Sequence, residues 1–111
     1  MIPTRFRLLN RSWKVKLVTS KQIAAAQELS EDKGKAYLGI CDLTNHRILL
    51  NKDEHDSAWE LEQTFWHEVA HCMFIAEGLQ PYEHDEKAVE RMGSFLHQLE
   101  ETRGGCIETF T

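Results

Sequence analysis

The chain has 111 residues, of which 41% are hydrophobic and 28% charged, with a formal net charge of −5. That composition suits one globular domain over residues 1–111 with a single modest core, and excludes a disordered chain. No apolar run approaches the length that crosses a membrane, and an acidic balance argues against a phosphate-backbone binder, so neither membrane nor nucleic acid is an expected partner.

The N-terminal stretch "MIPTRFRLLNRSW" is positively charged but lacks an apolar stretch and a small-residue cleavage site, so no secretory signal is expected. Arg5, Arg7, Arg11, Lys14 and Lys16 cluster. They read as a solvated strand edge and its lead-in, the alternative being a nucleic-acid patch. The three cysteines, Cys41, Cys72 and Cys106, are odd in number and lack a C-x-x-C. They suggest neither a disulfide framework nor a zinc finger, and the simplest compartment is a reducing cytoplasm.

"SWKVKLVTS" (12–20) alternates, with Trp13, Val15 and Leu17 opposite Lys14 and Lys16, which predicts a half-buried strand. "KQIAAAQELSEDKGK" begins as a helix and runs into charge and Gly34, predicting a short helix and a loop. "AYLGICDL" (36–43) and "RILLN" (47–51) flank the short polar link "TNH", the pattern of an antiparallel hairpin. After the polar loop "NKDEHDS", Asp56 or Ser57 can cap the next helix.

That helix is expected over about 57–77, ended by Gly78 and Pro81. Trp59, Trp66, Val69, Ala70 and Met73 make one stripe, Leu61, Phe65 and Cys72 another, Phe74 and Ile75 a third, so burial nearly all round is expected. A second helix is expected over about 85–102, with Ala88, Val89, Met92, Phe95, Leu96 and Leu99 as its apolar arc. The tail "GGCIETF" is expected to be loose or to pack as a short extension.

The first of these helices contains "TFWHEVAHCMF". His67 and His71, four apart, share one helix face, so their imidazoles can converge on one ion. Glu68 lies about 100° round, placed to reach a water at the metal. A Lewis-acid ion lowers the pKa of that water and a carboxylate takes the proton, which is the chemistry of the H-E-x-x-H pattern. The competing reading is a packed helix whose histidines are satisfied by carbonyls or carboxylates. Two histidines and a glutamate in an otherwise apolar helix are costly without partners, and a metal serves both histidines at once.

Catalytic zinc needs a third protein ligand and an open position. An antiparallel second helix would return Glu86, in its first turn, towards the H-E-x-x-H helix, and Gly93 would permit close approach. Glu86 could equally be a surface glutamate at a helix N-terminus. His84 is the rival ligand, with Glu83, Asp85 and Glu90 weaker candidates. His46, His55 and His97 are expected on loops or solvated faces. Tyr82 and His84 could supply a proton or an oxyanion donor, although Tyr82 also fits a half-buried turn aromatic. Cys72 reads as a small buried apolar residue.

The residues "RILLN…TFWHEVAHCMF…DEKAVERMGSFL" resemble the small HExxH metallopeptidase-like domains of phages and bacteria, near the ImmA/IrrE-like group of minimal gluzincins. The resemblance covers about residues 36–99. It departs from the family's second-helix pattern, E-x-x-A-N-x-F-A, at Val89, Glu90, Met92 and Gly93. It implies an α+β zincin-like domain, with an approximately three-stranded antiparallel or mixed sheet packed on the HExxH helix and a C-terminal helix. It further implies Zn2+ held by His67, His71 and Glu86, with Glu68 as general base. An edge strand, placed in "YLGICDL", would align an extended peptide by strand addition. The expected activity is peptide-bond hydrolysis in a narrow protein substrate. The alternatives are a catalytically inactive zinc-stabilised protein-binding module and a metal-free helical interaction protein.

Overall fold

Alternation of apolar and charged residues makes "RSWKVKLV" a strand, and the chain before it doubles back to pair with it. The structure, a computed structural model, describes residues 2–8, 10–27, 38–76, 78 and 85–105. Strand β1 is Arg5–Leu8 and β2 is Arg11–Val18. They pair antiparallel through a turn in which Asn10 has φ 65°, a left-handed conformation that asparagine tolerates better than most residues. Strand β1 was not foreseen as a strand in its own right, so the expected three strands become four.

Helix α1 (Ser20–Gln27) follows, and then β3 (Gly39–Asp42) and β4 (Arg47–Asn51) form the expected hairpin. The sheet order is β1-β2-β4-β3, with β2 and β4 parallel. Parallel neighbours need a long connection, and α1 with β3 lies within it. Strand β4 sits inside the sheet and is buried along "ILLN".

Helix α2 spans Ala58–Ala76 and helix α3 spans Glu86–Thr102. The Ser57 hydroxyl accepts from the Glu60 amide at the start of α2 (3.1 Å), leaving Asp56 out of the capping role. Asp85 caps α3, accepting from the Lys87 and Ala88 amides. The core is Trp13, Ile48, Leu50, Phe65, Val69 and Cys72, where α2 lies on the sheet. Phe6 packs against both Trp13 and Phe65, tying β1 to that core.

Helix α2 is more one-sided than expected. Its buried residues are Thr64, Phe65, Glu68, Val69, Ala70 and Cys72, and Trp59 in the first turn is exposed. In α3 the buried line is Val89, Gly93 and His97, while Phe95 and Leu99 of the expected apolar arc are exposed. One neighbouring helix covers a line of residues four apart and leaves the flanks of a wider arc in solvent.

Cys41 of β3 and Cys72 of α2 are joined by a disulfide. This corrects the expectation of an unpaired Cys72, and the inference of a reducing compartment loses that support. Cys106 lies outside the described residues. Among those residues, no helix is long and apolar enough to cross a membrane.

Candidate metal centre

Helices α2 and α3 run antiparallel, as their cross-contacts require: Gln63 meets Ser94 and His67 meets Glu90 and Glu86. Their approach is close because position 93 is glycine. A Cβ there would come within 2.9 Å of the His67 Cα and 3.0 Å of its amide nitrogen. The first turn of α3, held by the Asp85 cap, therefore comes back over the H-E-x-x-H turns of α2.

The result is a three-donor group. Glu86 Oε2 lies 3.5 Å from His67 Nε2, and Glu86 Oε1 lies 3.7 Å from His71 Nε2. The two imidazole centroids are 4.9 Å apart. His67, His71 and Glu86 could hold a metal ion, with their ligand atoms all within 4.8 Å of one another. Zinc–nitrogen and zinc–oxygen bonds of about 2.0–2.2 Å imply tetrahedral edges of roughly 3.3–3.6 Å, close to these separations. The Glu86 side chain is 71% exposed, so the group opens to solvent on the α3 side.

The ring of His67 is also held from behind. Its Nδ1–H donates to Glu90 Oε2 at 3.1 Å. That tautomer leaves the lone pair on Nε2, the nitrogen that faces Glu86. Glu90, in the sequence a weaker candidate ligand, here holds the His67 ring. The spacing of Glu86 and Glu90, one helical turn apart, was the available signal.

Glu68 points elsewhere on α2. It is 8% exposed, and a Cβ on Gly39 would lie 3.1 Å from its Cγ. Glu68 thus lies where α2 meets β3, which stands at the end of the described sheet. Thr64, one turn earlier, packs on the same glycine. Its hydroxyl donates to His55 Nε2 at 2.8 Å, while His55 Nδ1–H donates to the Asn51 carbonyl at 2.6 Å. Both nitrogens of His55 are thereby used. His46 occupies the β3–β4 turn, its Nε2 accepting from the Arg11 guanidinium at 3.2 Å. His97 departs from expectation: it is 2% exposed, between α2 and α3. Tyr82 and His84 lie outside the described residues, as does Glu83.

Elsewhere, burial pushes the Asp42 carboxyl up, but hydrogen bonds from Asn45 and Arg47 outweigh it and hold the group below the usual carboxylate range. The Arg47 Nε–Asp42 contact is 2.7 Å and spans the hairpin. Arg5, Arg7, Lys14 and Lys16 are not buried.

The described residues define an α+β protein with a mixed four-stranded sheet, three helices and a His/Glu group able to hold a metal ion. Comparison with protein-family models, with curated proteins and with solved structures finds no match for this chain.

Proposed function

We propose that this chain is a zincin-like, zinc-dependent metallopeptidase that hydrolyses peptide bonds in a narrow protein substrate. The supporting observation is that Glu86, fifteen residues beyond His71, brings its carboxylate to 3.5 and 3.7 Å of the two imidazole nitrogens. Two neutral imidazoles and one carboxylate are a donor set that catalytic zinc accepts.

His67, His71 and Glu86 would hold the ion, and Glu90 would keep the His67 ring turned towards it. Bound there, zinc would supply Lewis acidity, lowering the pKa of water and polarising the scissile carbonyl. Glu68 would take the proton from the attacking water and pass it to the leaving amine. An extended substrate would add to the outer side of β3, which ends the sheet among the described residues, gaining main-chain hydrogen bonds. That register runs the peptide along the strand beside which Glu68 lies. Tyr82 and His84 remain proposed donors to the oxyanion.

The second reading is a zinc-stabilised binding module without catalysis. The burial of Glu68 favours it, because a base that takes a proton from water must meet that water. One experiment separates the readings: zinc per chain and cleavage of a mixed peptide library, for wild type, His67→Ala, Glu86→Ala and Glu68→Gln. The peptidase reading expects His67→Ala to lose one equivalent of zinc and Glu86→Ala to hold it more weakly. It expects Glu68→Gln to keep zinc and lose cleavage. Zinc retention without cleavage in any form supports the binding module. Unchanged zinc in His67→Ala removes both.

A further inference from the structure

A second convergence of donors lies further along the same helix pair. Glu62 of α2 with His97 and Glu101 of α3 present ligand atoms within 4.8 Å of one another. Eleven residues of α3 separate Glu86 from His97, an axial distance of roughly 16 Å, so the two groups are separate.

His97 carries the argument. It is 2% exposed, and its Nε2 is buried without a hydrogen bond. Its other nitrogen is engaged: Nδ1–H donates to Gln63 Oε1 at 2.6 Å, and the Gln63 amide donates in turn to Ser94 Oγ at 2.9 Å. Because Gln63 presents its carbonyl oxygen, Nδ1 carries a proton, and the lone pair of a neutral ring then sits on Nε2. That lone pair faces Glu101 Oε1 at 3.2 Å and Glu62 Oε2 at 3.4 Å. Two carboxylate oxygens thus converge on a buried ring nitrogen that makes no hydrogen bond, an arrangement that a cation held among the three would stabilise.

A second proton on the ring is one such cation. It would draw the oxygens to about 2.7–2.9 Å, the usual length of a charge-assisted N–H···O bond. The observed separations of 3.2 and 3.4 Å are longer, and lie close to the roughly 3.3–3.6 Å edges of a tetrahedron around a zinc-sized ion. We propose that Glu62, His97 and Glu101 form a second divalent-metal site, taking zinc or a similar first-row ion. The Gln63 carbonyl fixes the tautomer, and the Trp59 ring, centred 5.0 Å from the imidazole, shields one side. Donors from both helices make the ion a clamp, joining the C-terminal half of α3 to α2 at a distance from the H-E-x-x-H group.

The test does not depend on the first centre. The His67→Ala/His71→Ala protein is titrated with zinc by calorimetry, while the ring nitrogens of His97 are followed by NMR. One bound equivalent is expected, with the His97 Nε2 resonance moving on zinc addition and the Nδ1 proton retained. Adding Glu62→Gln and Glu101→Gln should abolish that equivalent. No binding, with both His97 nitrogens protonated at neutral pH, would overturn the proposal in favour of a buried ion pair. If the histidine variant does not fold, Glu62→Gln/Glu101→Gln in the otherwise native chain answers the same question. It should hold one zinc fewer than the wild type, whatever the wild-type total, and an unchanged total would overturn the site.

Discussion

Gly93 of α3 lies directly on the backbone of His67 in α2. A Cβ at position 93 would stand 2.9 Å from the His67 Cα, closer than two such carbons pack. This contact sets the spacing of the two helices, and so sets how far Glu86 and Glu90 reach towards the imidazoles. Gly93→Ala gains about 1 kcal/mol in helix propensity. Backbone cannot step aside as a side-chain tip can, so overpacking of about 1–3 kcal/mol should outweigh that gain. The expected outcome is a lower midpoint in denaturant, together with weaker zinc binding that Glu86 alone would not explain.

The carboxylate of Glu90 holds His67 Nδ1 at 3.1 Å without belonging to the three-donor group. Glu90→Gln should keep the zinc stoichiometry and lower the affinity by roughly 10- to 100-fold, the usual effect of losing a partner that orients a ligand. Competition with a chelator of known affinity would measure it. An affinity equal to wild type would show that the ring is held by packing alone.

Cys41 and Cys72 close a loop with a sequence separation of 31. Loop-closure entropy places the stabilisation at about 3–4 kcal/mol, if the oxidised and reduced chains fold to the same state. Urea titrations with and without reductant should differ by that order, and Cys41→Ser should reproduce the reduced curve. Since Cys72 follows His71, the reduced protein should also bind zinc less tightly.

Asp42 has its pKa held down in the folded protein, from an ordinary value of 3.8. A depressed carboxylate stabilises the fold above its unfolded pKa, and that contribution fades as the pH falls through the folded value. Asp42→Asn should therefore lower stability at neutral pH, by no more than about 1 kcal/mol for a pair this near the surface. The gap from wild type should close in acid. Denaturation at a series of pH values would show it, and a gap that persists in acid would refute the assignment.

Gly39 bears on Glu68, the proposed base, rather than on the proposed ligands. A Cβ there would lie 2.9 Å from Thr64 Cγ2 and 3.1 Å from Glu68 Cγ. Gly39→Ala should displace these side chains and reduce peptide cleavage more than zinc affinity. Equal loss of both would mean that the substitution disturbs α2 as a whole.

Local spacing determined much of this protein. Four-residue separation aligned His67 with His71, two-residue alternation marked β2, and a short polar link marked the β3–β4 hairpin. Polar caps and the Gly78–Pro81 break placed both long helices to within a residue or two. Those features depend on contacts between near neighbours, which a sequence displays directly. Only the tertiary structure decided the features that depend on residues far apart. It paired β2 with β4 in parallel, joined Cys41 to Cys72, and turned Glu90 from a possible ligand into the partner of His67. It also buried His97 while leaving Phe95 and Leu99 in solvent, because among the described residues α3 packs on α2 along a narrow line. Four-residue spacing puts His97 beside Glu101, but nothing in the sequence shows that Glu62 meets them. That follows from the approach of two helix backbones, which a missing Cβ at Gly93 allows.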